Sequence, residues 1–192
     1  LVVVNRDIPG ANRVLIDTAI GMRDAVAHLA ELGHARLAYL SGPERSWSNA
    51  ERLAAFLSAT RERGLEACVL PSDRPDYPSG WKSVPGVLQW KATGVIAYDD
   101  ALAHGLMAGL ASAGLHVPSD ISVVGCDDLV APVTVPPMTS IRTSPELAGR
   151  KAAEQLDMLL SRPQARRPDK AALVDTLPSS LCIRESTAPP PH

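Results

Sequence analysis

Apolar segments of two kinds take turns along this chain, and their alternation constrains the fold more than any other feature. The runs LVVV at 1–4, RLAYLS at 36–41, TGVIAY at 93–98 and ISVVGC at 121–126 are apolar almost without interruption. A strand with one wet face alternates polar and apolar residues. An unbroken run signals burial on both faces, as in a parallel sheet covered by helices. Between these runs the spacing is helical. Met22, Ala25, Val26, Leu29 and Leu32 predict a helix over 17–32, stopped by Gly33. Ser48 and Glu51 stand three apart, as in a capping box. They open a helix with Leu53, Phe56, Leu57 and Thr60 as its buried stripe. A helix over 80–91 is expected to break or start late at Pro85-Gly86. Another runs over 100–113, and Ser144-Pro145 opens one that reaches Leu160. Further strands are expected at 65–70, 139–142, 171–176 and 180–184, with a basic linker at 161–170 and a disordered tail at 187–192. Strand–helix alternation of this kind builds right-handed βαβ units and an open α/β fold of parallel sheets flanked by helices.

In such sheets ligands bind beyond the carboxyl ends of the strands. The polar residues gather there. One strand runs into Asn5, Arg6 and Asp7, another into Asp99 and Asp100, a third into Asp127 and Asp128. Carboxylates accept from hydroxyls, and arginine donates in a planar fork. Together they suit the neighbouring hydroxyls of a neutral polyol. Asp100 opens a helix and suits capping as well as ligand contact. Asp128 suits fixing its own loop. Asp127 reads as a ligand residue. Arg52 stands in the first turn of its helix, against the positive end of the helix dipole, which points to a role beyond solvation. Trp47 and Tyr77 offer rings to stack on a sugar, although loop packing is the commoner use.

Composition excludes several classes. The 192 residues suffice for one good-sized domain or two small lobes. A net charge of -2 gives no electrostatic reason to prefer nucleic acid or an anionic membrane. No run reaches the roughly 18 apolar residues of a membrane span. Cys68, Cys126 and Cys182 are odd in number and lack C-x-x-C spacing, which argues against a disulfide framework and a zinc knuckle. They fit a reducing cytoplasm. His28 and His34 lie six apart, on different faces of a helix, so no metal site is expected. A Mg²⁺-dependent phosphotransferase built on Asp99 and Asp127 lacks a glycine-rich phosphate loop and a nucleophile–base pair. No enzyme activity and no cofactor are expected.

Five segments resemble the effector domain of the LacI family of transcription regulators. They are HLAELGHARLAYLSGP at 28–43, SNAERLAAF at 48–56, AYDDALAHGLMAGLASAGLHVPSD at 97–120, DISVVGCDD at 120–128 and PPMTSIRTSPELAGRKAAEQL at 136–156. The resemblance implies a two-lobed, periplasmic-binding-protein-like fold with a sugar or similar polyol held between the lobes. It implies a homodimer, formed by the helix at 100–113 and the loop near 129–137. It also implies operator DNA as a partner, reached through a head absent from this chain. By position, Arg52 and Asp127 match effector contacts, Asp99 stands where the family has asparagine, and Asn5 lines the cleft. Residues 1–16 and 140–162 are assigned to a remnant of the N-terminal lobe. Residues 17–139 and 163–186 form the C-terminal lobe, and 187–192 the tail. So small a remnant cannot bury a core alone, and the natural protein is expected to be longer. Arg52→Ala is expected to abolish the response and leave the fold nearly intact. A solute-binding protein for sugar uptake, with the same fold, is the alternative.

Overall fold

Unbroken apolar strands make sense once both faces of a sheet are covered, and the computed structural model shows that arrangement for residues 1–72, 74–161 and 172–191. The larger sheet has six strands in the order β4 (Glu66–Pro71), β3 (Arg36–Ser41), β5 (Gly94–Ala97), β6 (Ser122–Asp127), β7 (Thr139–Arg142), β9 (Ser180–Cys182). They run parallel except for β9, which is antiparallel to β7. Side chains alternate along each strand, so successive apolar residues serve opposite cores. Leu37, Tyr39, Ile96 and Val124 face α1 (Thr18–Glu31) and α2 (Trp47–Glu62), packing on Met22, Leu29 and Phe56. Ala38, Leu40, Val95 and Val123 face the other way, onto Val87 of α4 (Val84–Trp90) and Leu102, Leu106 and Leu110 of α5 (Asp100–Ser112). The short α3 (Tyr77–Lys82) lies on α5. No helix among the described residues is long and apolar enough to cross a membrane.

A second sheet joins both ends of the chain: β1 (Val2–Val4), β2 (Asn12–Asp17) and β8 (Val174–Pro178), all parallel. Its buried core is Val14, Ile16 and Leu177 under Ala148 of α6 (Pro145–Leu160). The chain passes between the sheets at 17–18, 143–144 and 179. Ser179 ties two of these crossings, its hydroxyl donating to the Asp17 carbonyl at 2.6 Å and accepting the Gly21 N–H at 3.0 Å. Gly21 is required there, because a Cβ would stand 2.3 Å from Ile141 Cγ2.

The structure corrects several expectations. Strand β2 was not foreseen, since its polar start and its direct run into α1 hide it in the helical pattern. The division at 139/140 falls inside β7, which pairs with β6, so the change of sheet comes at 143–144. β8, placed with the larger part by sequence, pairs with β2. Ser46, not Ser48, caps α2 by accepting the Asn49 N–H. The buried stripe of α2 runs through Arg52, Ala55, Phe56, Ala59 and Thr60, leaving Leu57 exposed, because Arg52 is turned inward to an ion pair. The break expected in the 80–91 helix is present, but at Ser83 rather than at Pro85-Gly86, dividing α3 from α4 and leaving Pro85 in the first turn of α4. The start of the expected tail, Thr187 and Ala188, is anchored rather than loose. Thr187 bonds His28, and the Ala188 carbonyl accepts from buried His34. The linker expected at 161–170 lies, apart from Ser161, outside the described residues.

Candidate functional site

Strand ends from both sheets converge on a cavity of about 210 Å³. Asn5 and Ile16 line it from the smaller sheet, and Arg52, Asp127 and Leu129 from the larger. Thr143 and Pro145 close it at the crossing into α6. Arg52 is the centre of its polar wall. It is only 3% exposed, and its guanidinium donates to Asp127 Oδ1 at 3.0 Å and to the Tyr98 carbonyl. It also lies 4.7 Å from the centroid of the Tyr98 ring, where the face of the ring attracts a cation. Burial of a charge is tolerable when it is paired and hydrogen-bonded, as here. The Asp127 carboxylate is about one-third exposed, so it offers acceptor capacity at the cavity while holding the arginine.

Two polar atoms at this wall have no hydrogen-bond partner among the described residues: Asn5 Oδ1 and Arg52 Nε, both shielded from solvent. One is an acceptor and the other a donor. Asn5 sits at φ 53°, a left-handed conformation that asparagine tolerates better than most residues. Its own N–H is spent on the Val14 carbonyl at 2.8 Å, so it is not available to a ligand.

The other sequence-derived candidates are placed differently. Asp99 is the N-cap of α5, its Oδ1 accepting the Leu102 N–H at 2.8 Å. Burial pushes its carboxyl above the usual carboxylate range, the Leu102 bond opposes that, and neighbouring Asp127 adds to it. Capping thus falls to Asp99 rather than Asp100. Asp128 turns away from the cavity to pair with Arg142 and Arg184, each at 2.7 Å, and fixes its own loop. Trp47, the first residue of α2, is half-buried and is not part of the lining. Tyr77 is not brought to the site. Its ring packs against Trp81 and edge-on against His104 of α5. The reason is strand order: Tyr77 follows β4, the sheet edge, three strands from β6, or about 14 Å at the usual strand spacing. Sequence reasoning missed Tyr98, which orients Arg52, and Ile16, Leu129, Thr143 and Pro145. Only Pro145 carried a signal, as the proline opening α6.

A family model described as a periplasmic binding protein-like domain matches residues 26–187. The regulator GalS of Salmonella typhimurium is 33% identical over 173 residues, covering 82% of this chain and 51% of that protein. Among solved structures, a LacI transcriptional regulator from a Rhodococcus species superposes with a TM-score of 0.87 at 30% identity, covering 100% of this chain and 70% of that one. The chain belongs to the LacI family. A second family structure, from Enterococcus faecalis with bound ribose, gives a TM-score of 0.87 at 29% identity over 98% of this chain and 68% of that one. The α/β architecture of the present chain is therefore that of the periplasmic-binding-protein-like effector domain of LacI-family regulators. The chain spans about half the length of the curated relatives it matches.

Proposed function

We propose that this chain is the effector-sensing part of a LacI-type transcription regulator of the cytoplasm, and that the cavity between the sheets takes a neutral sugar or small polyol. The pairing of a buried arginine with a half-open carboxylate carries the reading. Asp127 accepts from ligand hydroxyls, Arg52 stands beside it as a fixed donor, and Asn5 Oδ1 accepts from across the cleft. Because Arg52 and Asp127 neutralise each other, the wall has no net charge to select an ion. A volume of about 210 Å³ lies below the roughly 300 Å³ at which pockets for drug-sized ligands begin, and suits one sugar ring. Ribose bound in the Enterococcus relative supports that size.

A ligand touching both sheets favours the arrangement in which Asn5 and Asp127 approach each other. It shifts populations only as far as it binds that arrangement more tightly. In a homodimer this changes the spacing of DNA-binding heads outside this chain, and hence operator affinity. The exposed loop carrying Val133 (81% exposed) and Val135 (92% exposed) is the surface we assign to the second copy. α5 contributes less than the sequence suggests, because α3 covers it. The test is calorimetry and thermal shift with D-ribose, D-galactose, D-glucose and xylitol at millimolar concentration. A true ligand raises the melting temperature by mass action, and Asp127→Asn abolishes the rise. If no sugar or polyol binds, or if one binds equally well to Asp127→Asn, this reading fails.

A further inference from the structure

Four consecutive backbone amides follow Asp127, and one buried carboxylate holds all of them, three directly and the fourth through a hydroxyl. Asp100 is 4% exposed. Its Oδ2 accepts the N–H groups of Leu129 at 2.8 Å, Val130 at 3.2 Å and Ala131 at 3.3 Å. Its Oδ1 accepts the Ser140 hydroxyl at 2.6 Å, whose oxygen in turn accepts the Asp128 N–H at 3.2 Å. Successive N–H groups converging on an anion form a backbone nest, filled here by the protein's own carboxylate. Gly125 makes the room, since a Cβ there would stand 2.4 Å from Asp100 Oδ1. Asp99 performs the capping of α5, which leaves Asp100 free for the loop.

The segment held this way has a costly backbone. Asp127 has φ 103° and Asp128 φ 56°, and such conformations persist in non-glycine residues only when the surroundings over-determine them. We infer that Asp100 is a positioning residue for the cavity: by gathering the amides of 128–131 it imposes the turn at 127–128, which aims the Asp127 carboxylate at Arg52 and sets Leu129 in the cavity wall. The same turn sends Asp128 the opposite way, to Arg142 and Arg184. Asp100 itself is not part of the lining. The inference draws its functional weight from the ligand-site reading, but its test uses no ligand. Failure of every sugar to bind would remove that reading and leave this one to be decided separately.

The test is NMR of the ¹⁵N-labelled 192-residue chain, reading hydrogen exchange at 128–131 and the side-chain signals of Arg52. Those signals are sharp while the guanidinium is pinned to Asp127 and Tyr98. In Asp100→Ala, exchange at 129–131 quickens by roughly tenfold or more, the loss of a charge-assisted bond, and the Arg52 signals broaden. Asp100→Asn keeps an acceptor and drops the charge, giving the same changes at smaller amplitude. Ser140→Ala frees the amide of 128 and perturbs Arg52 as well. Leu110→Ala, a core change in the last turns of α5, lowers global stability and leaves the Arg52 signals as in the parent. Equal broadening in Leu110→Ala overturns the inference, because the effect is then only structural. Unchanged Arg52 signals in both Asp100→Asn and Ser140→Ala also overturn it, even where Asp100→Ala does not fold.

Discussion

Arg52→Ala is expected to cost stability as well as ligand response, contrary to what the sequence alone suggests. The side chain is only 4% exposed and lies in the buried stripe of α2. Its bond to the Tyr98 carbonyl is charge-assisted and contributes roughly 1.5–3 kcal/mol. The Asp127 carboxylate is 32% exposed and partly rehydrates when the arginine leaves, so that pair is discounted to about 1 kcal/mol. The stack on Tyr98 adds about 1 kcal/mol. Part of this is returned, because a buried cation no longer has to be desolvated. A net loss of about 2–4 kcal/mol remains, or a fall in melting temperature of about 5–15 °C for a chain of this size. The assay is urea unfolding of Arg52→Ala, Asp127→Ala and the double variant. A coupling of about 1 kcal/mol is expected between the two positions. Additivity within about 0.5 kcal/mol, or an Arg52→Ala variant as stable as the parent, would refute the assignment of Arg52 as the pinned centre of the cavity wall.

Three further outcomes can be checked. His34 is buried between Thr93, Ser122 and the Ala188 carbonyl, and burial holds its pKa below the ordinary histidine value of 6.5. The unfolded chain therefore takes up the proton first, so stability is full above 6.5 and falls as pH drops below it. Urea midpoints on either side of that pH should show the fall, with a smaller slope in His34→Gln; His28, also lowered by burial, keeps the remainder. Gly105→Ala places a Cβ 2.0 Å from the Tyr77 carbonyl oxygen, so α3 must move off α5 at a cost of about 1–3 kcal/mol by denaturant unfolding. Val133→Asp with Val135→Asp should change stability by less than about 0.5 kcal/mol and abolish self-association in sedimentation, given how exposed both residues are. An unaltered association constant would remove that loop from the interface.

How much the sequence disclosed depends on whether local pattern or strand order decides a feature. Parallel packing with two covered faces was legible, because unbroken apolar runs have few other uses. Arg52 and Asp127 do meet, at 3.0 Å, but the helix dipole does not single out Arg52 as expected: α2 starts at Trp47, which puts Arg52 in its second turn, away from the positive end of the helix. Tyr77 failed as a ring for the ligand because alternation of strands and helices does not reveal that β4 lies at the edge. The α2 cap is Ser46 rather than Ser48, since the helix starts one residue before Ser48, and Asn49, whose N–H Ser46 accepts, turns its own Oδ1 to the Gly42 N–H and the Tyr39 hydroxyl. The final residues looked like loose polar tail. Yet Thr187 bonds His28 and the Ala188 carbonyl accepts from His34, and no local pattern announces such distant partners.

The smaller sheet is built from the two ends of the described chain, and this has a consequence during synthesis. β8, the partner of β2, leaves the ribosome about 150 residues after it, a delay of roughly 8–30 s at ordinary elongation rates. The larger sheet lacks only β9 by then. Ala148 of α6 reaches Val14 and Ile16 before Leu177 does, so the strand from the far end of the described chain completes a core that the helix has already begun to cover.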